Sequence, residues 1–136
     1  MDSRFFRFFY GTVEPALELL AGLLGLFAPA VLRSSLSPGL SADASPAALF
    51  VTREFGVMAL AFAFVQYGLL RSWERSIVRR LLLALLPGDV IHAALTIAHL
   101  AGGGALDAGA AFNLTLSAAT PLLRAYFLFV RMERDA

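Results

Sequence analysis

Apolar residues fill four long stretches of this chain, and each stretch carries a narrow line of small or polar residues at helical spacing. The stretches run over 8–32, 48–70, 81–101 and 109–130. A bilayer core of about 30 Å needs roughly 20 helical residues to cross it, so all four are long enough. In the first, Gly11, Glu14, Glu18, Gly22, Gly25 and Pro29 fall on one face within an arc of about 80°. In the second, Thr52, Gly56, Ala59, Ala63 and Gln66 make a small-and-polar line with Tyr67 at its edge. The third carries Asp89, His92, Thr96 and His99 at i, i+3, i+7 and i+10, and the fourth Asn113, Ser117, Thr120 and Arg124. The opposite faces are Leu, Phe, Val and Ala. Ionisable groups in a membrane span normally face a protein interior or a wet cavity. The pattern therefore predicts an all-α fold, an integral membrane four-helix antiparallel bundle with the marked faces turned inward, in a single domain covering 1–136.

The connections sharpen this picture. Arg4 and Arg7 precede the first stretch, Arg71, Arg75, Arg79 and Arg80 crowd the second connection, and Arg131 and Arg134 follow the last stretch. The positive-inside rule then places both termini and the middle connection in the cytoplasm. The first connection, SSLSPGLSADASPAA, becomes the main outer element, a cap or lid, with Ser45 as N-cap and Pro46 at the first helical position of the next helix. The segment RSWERSIVRR reads as a short interfacial turn of helix with Trp73 at headgroup level. Pro15, Pro87 and Pro121 lie inside three of the stretches. Each frees a carbonyl one turn earlier, and interrupted helices beside ionisable residues point to a binding site.

Composition agrees with the pattern and excludes several function classes. The chain is 59% hydrophobic, with a mean hydropathy of +0.74. After four stretches there is no length left for a separate soluble domain. Cys is absent, which excludes disulfides, thiolate catalysis and Cys-ligated metals. A net charge of +1 gives no nucleic-acid signal. The N-terminal apolar stretch is too long, and too interrupted by Glu14 and Glu18, to read as a signal peptide.

The candidate chemistry is the polar axis itself. The orientation puts Glu18, Asp89, His92 and Thr120 near the midplane. Glu14, Gln66 and Arg124 fall one to two turns towards the cytoplasm, and Thr52, Arg53, His99 and Asn113 near the outer surface. Matching depth makes Glu14 and Arg124 an ion pair. Glu18, Asp89 and His92 line one pocket that opens outward, with His92 as the nearest proton partner of Asp89. The ligand-binding set is thus Glu14, Glu18, Gln66, Asp89, His92, His99, Asn113, Thr120 and Arg124.

Four chemistries draw on that set. A carboxylate metal site finds one Asp-x-x-His where bundle sites use paired Glu-x-x-His motifs. Haem ligation through His92 or His99 finds both on one helix, unable to clamp a haem from opposite sides. Acid–base chemistry on a lipophilic molecule has suitable groups in Asp89, His92 and Glu18, but no Ser elbow and no phosphate loop accompanies them. A non-enzymatic subunit or binding bundle for a small lipophilic ligand, such as a quinone or lipid, needs only the axis and its apolar walls. This last is the expectation carried forward, with a membrane enzyme of isomerase or oxidoreductase type as the alternative. The sequence assigns no particular cofactor. The expected partners are the bilayer, a lipophilic small molecule, and a membrane-complex partner or second copy of the chain.

The runs LLAGLLGLFAPAVL, VTREFGVMALAFAFVQYGLLRS and RRLLLALLPGDVIHAAL together resemble the DoxX-like group of small bacterial four-helix membrane proteins. The similar-looking positions are Pro29 ending the first span, Arg53 and Gly56 opening the second, and Asp89 in the third. The resemblance implies an uncharacterised multi-pass protein of the cell inner membrane and mildly favours an accessory subunit of a redox or quinone-linked complex.

Overall fold

The computed structural model describes residues 4–36, 45–103, 106 and 108–132, and the elements among them are helices. Helix α1 spans Arg4–Phe27 and widens to a π-helical turn over Phe9–Val13. Helix α2 is short, Pro29–Leu36. Helices α3 and α4 are Pro46–Leu70 and Arg75–Ala101. Helix α5 is Ala108–Tyr126, continued by a π-helical turn over Phe127–Arg131. Helices α1, α3 and α4 are long and apolar enough to cross a membrane. Helix α5 is more polar, with Asn113, Thr115, Ser117, Thr120 and Arg124 along its length. Large apolar side chains point outward: Met58 is 71% exposed, Phe64 68% and Leu122 71%. A surface of that kind suits lipid and not water, and the chain is accordingly a helical membrane protein.

Local chemistry sets the helix boundaries. Ser45 Oγ accepts a hydrogen bond from the Ala48 N–H at 3.2 Å, and Pro46 occupies the first helical position, as the sequence predicts. The first stretch, expected to run unbroken through 32, instead splits at Ala28, whose backbone leaves the helical region (φ −138°, ψ 57°). The cause is Pro29: its ring disfavours the α conformation for the residue before it, and its fixed φ starts a new helix. The expected interfacial helix around Trp73 is also corrected. Arg75 to Arg80 are the opening turns of α4, because no breaker separates them from Leu81. The connection is only Arg71–Glu74, turned by Trp73 at φ +50°. Its indole packs against Phe127 (6.3 Å between centroids) and lies under the Arg7 guanidinium (5.9 Å).

The prolines interrupt less than expected. Helices α4 and α5 run through Pro87 and Pro121. Each ring removes one backbone hydrogen bond, and the flanking turns hold the helix together. Only Pro15 adjoins a departure from α geometry: one residue earlier, the Glu14 N–H reaches back to the Phe9 carbonyl in a π-type bond. The expected outer lid falls mostly on 37–44, which lie outside the described residues, as do Gly104 and Arg134.

Packing divides the long helices into two pairs. Helix α1 packs chiefly on α3, and α4 chiefly on α5. The first contact is backbone to backbone. A Cβ added at Gly56 would sit 2.6 Å from the Leu26 nitrogen and 2.8 Å from the Gly22 oxygen. Small residues permit that approach where lipid offers no hydrophobic drive between helices. At the Arg-rich end the pairs converge on a cluster of Phe6, Tyr10, Leu70, Val78, Leu82, Phe127, Leu128 and Met132, with side chains from all four long helices. There Arg75 donates to the Met132 carbonyl, tying the start of α4 to the end of α5. Towards the other end, α2 bridges to both α3 and α5. Between these two junctions α1 and α4 are not among the principal packing pairs.

Candidate functional site

Arg124 lies at the centre of the molecule and is 1% exposed. It reaches α5's neighbours on both sides. Its guanidinium donates to Glu14 Oε1 across the gap between the pairs. Its Nε stands 2.7 Å from Asp89 Oδ2 within its own pair, in charge contact without hydrogen-bond alignment. It also lies 5.7 Å above the ring of Tyr10. Gln66, fully buried, lies against Glu14, yet neither of its amide atoms is in hydrogen-bonding geometry. One cation is thus shared by two carboxylates and an aromatic face. A buried guanidinium is tolerable only with such compensation, because each ion removed from water loses several kcal/mol of solvation.

Above this cluster, away from the aromatic end, a cavity of about 450 Å³ opens between α1 and α4. Its walls are apolar: Leu17, Leu20 and Leu24 from α1, Leu32 and Leu36 from α2, Phe55 from α3, and Phe112 and Leu116 from α5. Its polar positions are Glu14, Glu18, Asp89, His92, Asn113, Ser117 and Thr120, with Ser35 from α2. On one wall His92 Nε2 and Asn113 Oδ1 are 3.4 Å apart. Thr96 donates to the His92 carbonyl and meets Ser117 Oγ at 3.5 Å. Glu18 has no hydrogen-bond or ion-pair partner among the described residues. It does lie within electrostatic reach of Asp89 and Arg124.

The expected site residues divide three ways. Glu14, Glu18, Asp89, His92, Asn113 and Thr120 share the cavity wall. Arg124 and Gln66 lie behind it, in the buried cluster. His99 belongs to neither: it is exposed near the end of α4. Asp89 is also in charge contact with Arg124, which the sequence had paired with Glu14 alone. Sequence reasoning missed Tyr10, which is four residues before Glu14 and so on the same helix face, a spacing that could have shown it. It also missed the wall made by Leu32, Ser35 and Leu36. Pro29 opening a helix was the available signal there.

The arrangement suits recognition of a molecule with a long apolar body and one polar end. Among the described residues no three His, Cys, Asp or Glu side chains come together in a way that could hold a metal ion. Asp89 and His92, one turn apart on the wall, and Glu18 opposite them on α1 are groups of the type able to exchange a proton with an occupant.

A family described as a domain of unknown function, DUF7704, matches residues 3–130, and the chain belongs to it. That match does not extend to a DoxX-like assignment. No curated protein and no solved structure matches the chain.

Proposed function

We propose that this member of the DUF7704 family is a four-span membrane bundle with both termini cytoplasmic, and that it binds a small lipophilic molecule, such as a quinone or single-chain lipid, in its central cavity. The observation that carries the reading is the cavity's division into apolar walls and a line of polar groups contributed by α1, α4 and α5. A volume of about 450 Å³ falls within the roughly 300–1,000 Å³ typical of small-molecule sites. The binding bundle serves either alone or as an accessory subunit beside a membrane partner.

Native mass spectrometry of the protein released from its own membrane tests the reading. The expected result is a retained small lipophile that is lost from Leu20→Trp, which fills the cavity. Absence of any retained species, together with no saturable binding of added quinones or single-chain lipids, would overturn it. A second reading, an acid–base membrane enzyme, is favoured by Asp89 and His92 facing one cavity. Turnover of the retained lipophile that disappears in Asp89→Asn would select it.

A further inference from the structure

We infer that the head of the bound lipophile is a protonated amine, so that the cavity selects cationic amphiphiles over neutral and anionic ones. The inference rests on the binding reading above and deepens it. Three carboxyl groups line the cavity, those of Glu14, Glu18 and Asp89, and no Arg does. Among the described residues the guanidinium within electrostatic reach of these three acids is that of Arg124, which is buried behind the wall and already engaged by Glu14 and Asp89. Glu18 is left without a partner of its own. Glu14 is itself 8% exposed, and its second oxygen, Oε2, has no aligned hydrogen-bond donor. The charge arithmetic is therefore one-sided. If the three acids ionise, a single guanidinium leaves them two charges short, and His92 supplies at most one of those.

An anionic head, whether carboxylate, sulfate or phosphate, would meet carboxylates in a low-dielectric space, where like charges repel far more strongly than in water. An ammonium would supply the missing charge and up to three N–H donors to groups that can only accept. The walls add a second preference of the same sign. Phe9, Phe55 and Phe112 are among the residues lining the cavity, and aromatic ring faces attract cations. The volume suits one chain or a compact ring system and not a two-chain phospholipid.

The test compares octylamine, octyltrimethylammonium, octanol and octanoate at neutral pH. Each is titrated into the purified full-length protein in one neutral detergent, and binding is read by calorimetry and by the shift in melting temperature. Glu18→Gln in the same micelles controls for partitioning into detergent. Glu18 has no partner to lose, so this variant should fold as the native protein does. Octylamine is expected to bind saturably, at least about tenfold more tightly than octanol, a ratio equivalent to ~1.4 kcal/mol. Octanoate should be weaker still, and Glu18→Gln should remove most of the amine's advantage. Octyltrimethylammonium separates charge from hydrogen bonding: tight binding supports an electrostatic and aromatic site, and weak binding supports recognition through N–H donors. Equal or tighter binding of octanol or octanoate would overturn the cationic preference while leaving the lipophile site intact. Undiminished amine binding in Glu18→Gln would also overturn it. No saturable binding of any of the four would count against both readings.

Discussion

Removing the Arg124 charge should destabilise the protein, and the sign of a second mutation should then reverse. Arg124 is 1% exposed and serves Glu14 and Asp89 together. Arg124→Met keeps most of the apolar stem but leaves one buried and one half-buried carboxyl group without this cation. Breaking a buried pair in this way typically costs about 3–5 kcal/mol. Glu14→Gln in the native background is milder. Asp89 still faces the guanidinium, and the new amide oxygen can still accept from it, so the loss is on the order of 1 kcal/mol. In the Arg124→Met background the same Glu14→Gln removes an uncompensated acid and should be stabilising. Asp89→Asn should follow the same rule. The assay is equilibrium unfolding in detergent micelles for the four corners of each cycle, with helicity as the signal. A sign change gives a coupling energy well above the few tenths of a kcal/mol expected for independent sites. If Glu14→Gln destabilises equally with and without Arg124, the shared-cation reasoning is wrong.

Two further outcomes follow from the sequence and the packing. Topology reporters fused at Ala42 and at Ala136 should lie on opposite sides of the membrane, and the same side for both would refute the four-span orientation. Gly56→Ala should cost about 1–3 kcal/mol by overpacking, because its new methyl meets backbone atoms at 2.6–2.8 Å. Gly68→Ala, with nothing within 4 Å of the added carbon, should be neutral or slightly stabilising; equal losses at the two sites in the same unfolding assay would show that α1 and α3 do not pack backbone to backbone.

The helices and their inward faces were legible because the background is so apolar. In the second stretch Gly56, Ala59, Ala63 and Gln66 are all buried, as their spacing predicts. Glu14 and Arg124, 110 residues apart in sequence, could be paired because a membrane gives depth a fixed origin and Arg marks its cytoplasmic side. The same arithmetic failed for Asp89. It put Asp89 one to two turns from Arg124, yet an Arg side chain extends about one helical turn (~5.4 Å) along the axis, and so closes that gap. The break at Ala28 escaped the hydropathy count, although the DoxX-like pattern set Pro29 at the end of the first span. Hydropathy continues through Val31 and Leu32, so an apolar count reads straight across a backbone turn that Pro29 imposes. That turn is what sends α2 over the cavity, and the wall made by Leu32, Ser35 and Leu36 was therefore invisible to periodicity.

The architecture explains how a cavity persists in so small a protein. The helix pairs are clamped at one end by the aromatic cluster and towards the other by α2. The Glu14–Arg124 bridge joins them between those clamps. Small residues draw α1 onto α3, and this leaves α1 turned away from α4 over the turns that carry Leu17 to Leu24. Along the resulting seam polar groups are matched pairwise: Glu14 and Asp89 with Arg124, His92 with Asn113, Thr96 with Ser117. Among the three acids on the cavity wall, Glu18 is the one without such a match among the described residues. Real proteins break their own packing rules chiefly where function requires it, and an acid at mid-helix could be replaced by Leu if it served the fold alone. Its position, on the cavity wall with Asp89 and His92, makes it the residue at which the proposed binding role and the stability of the bundle can be tested apart. Glu18→Leu should therefore leave the fold as stable as before, or more so, while abolishing binding.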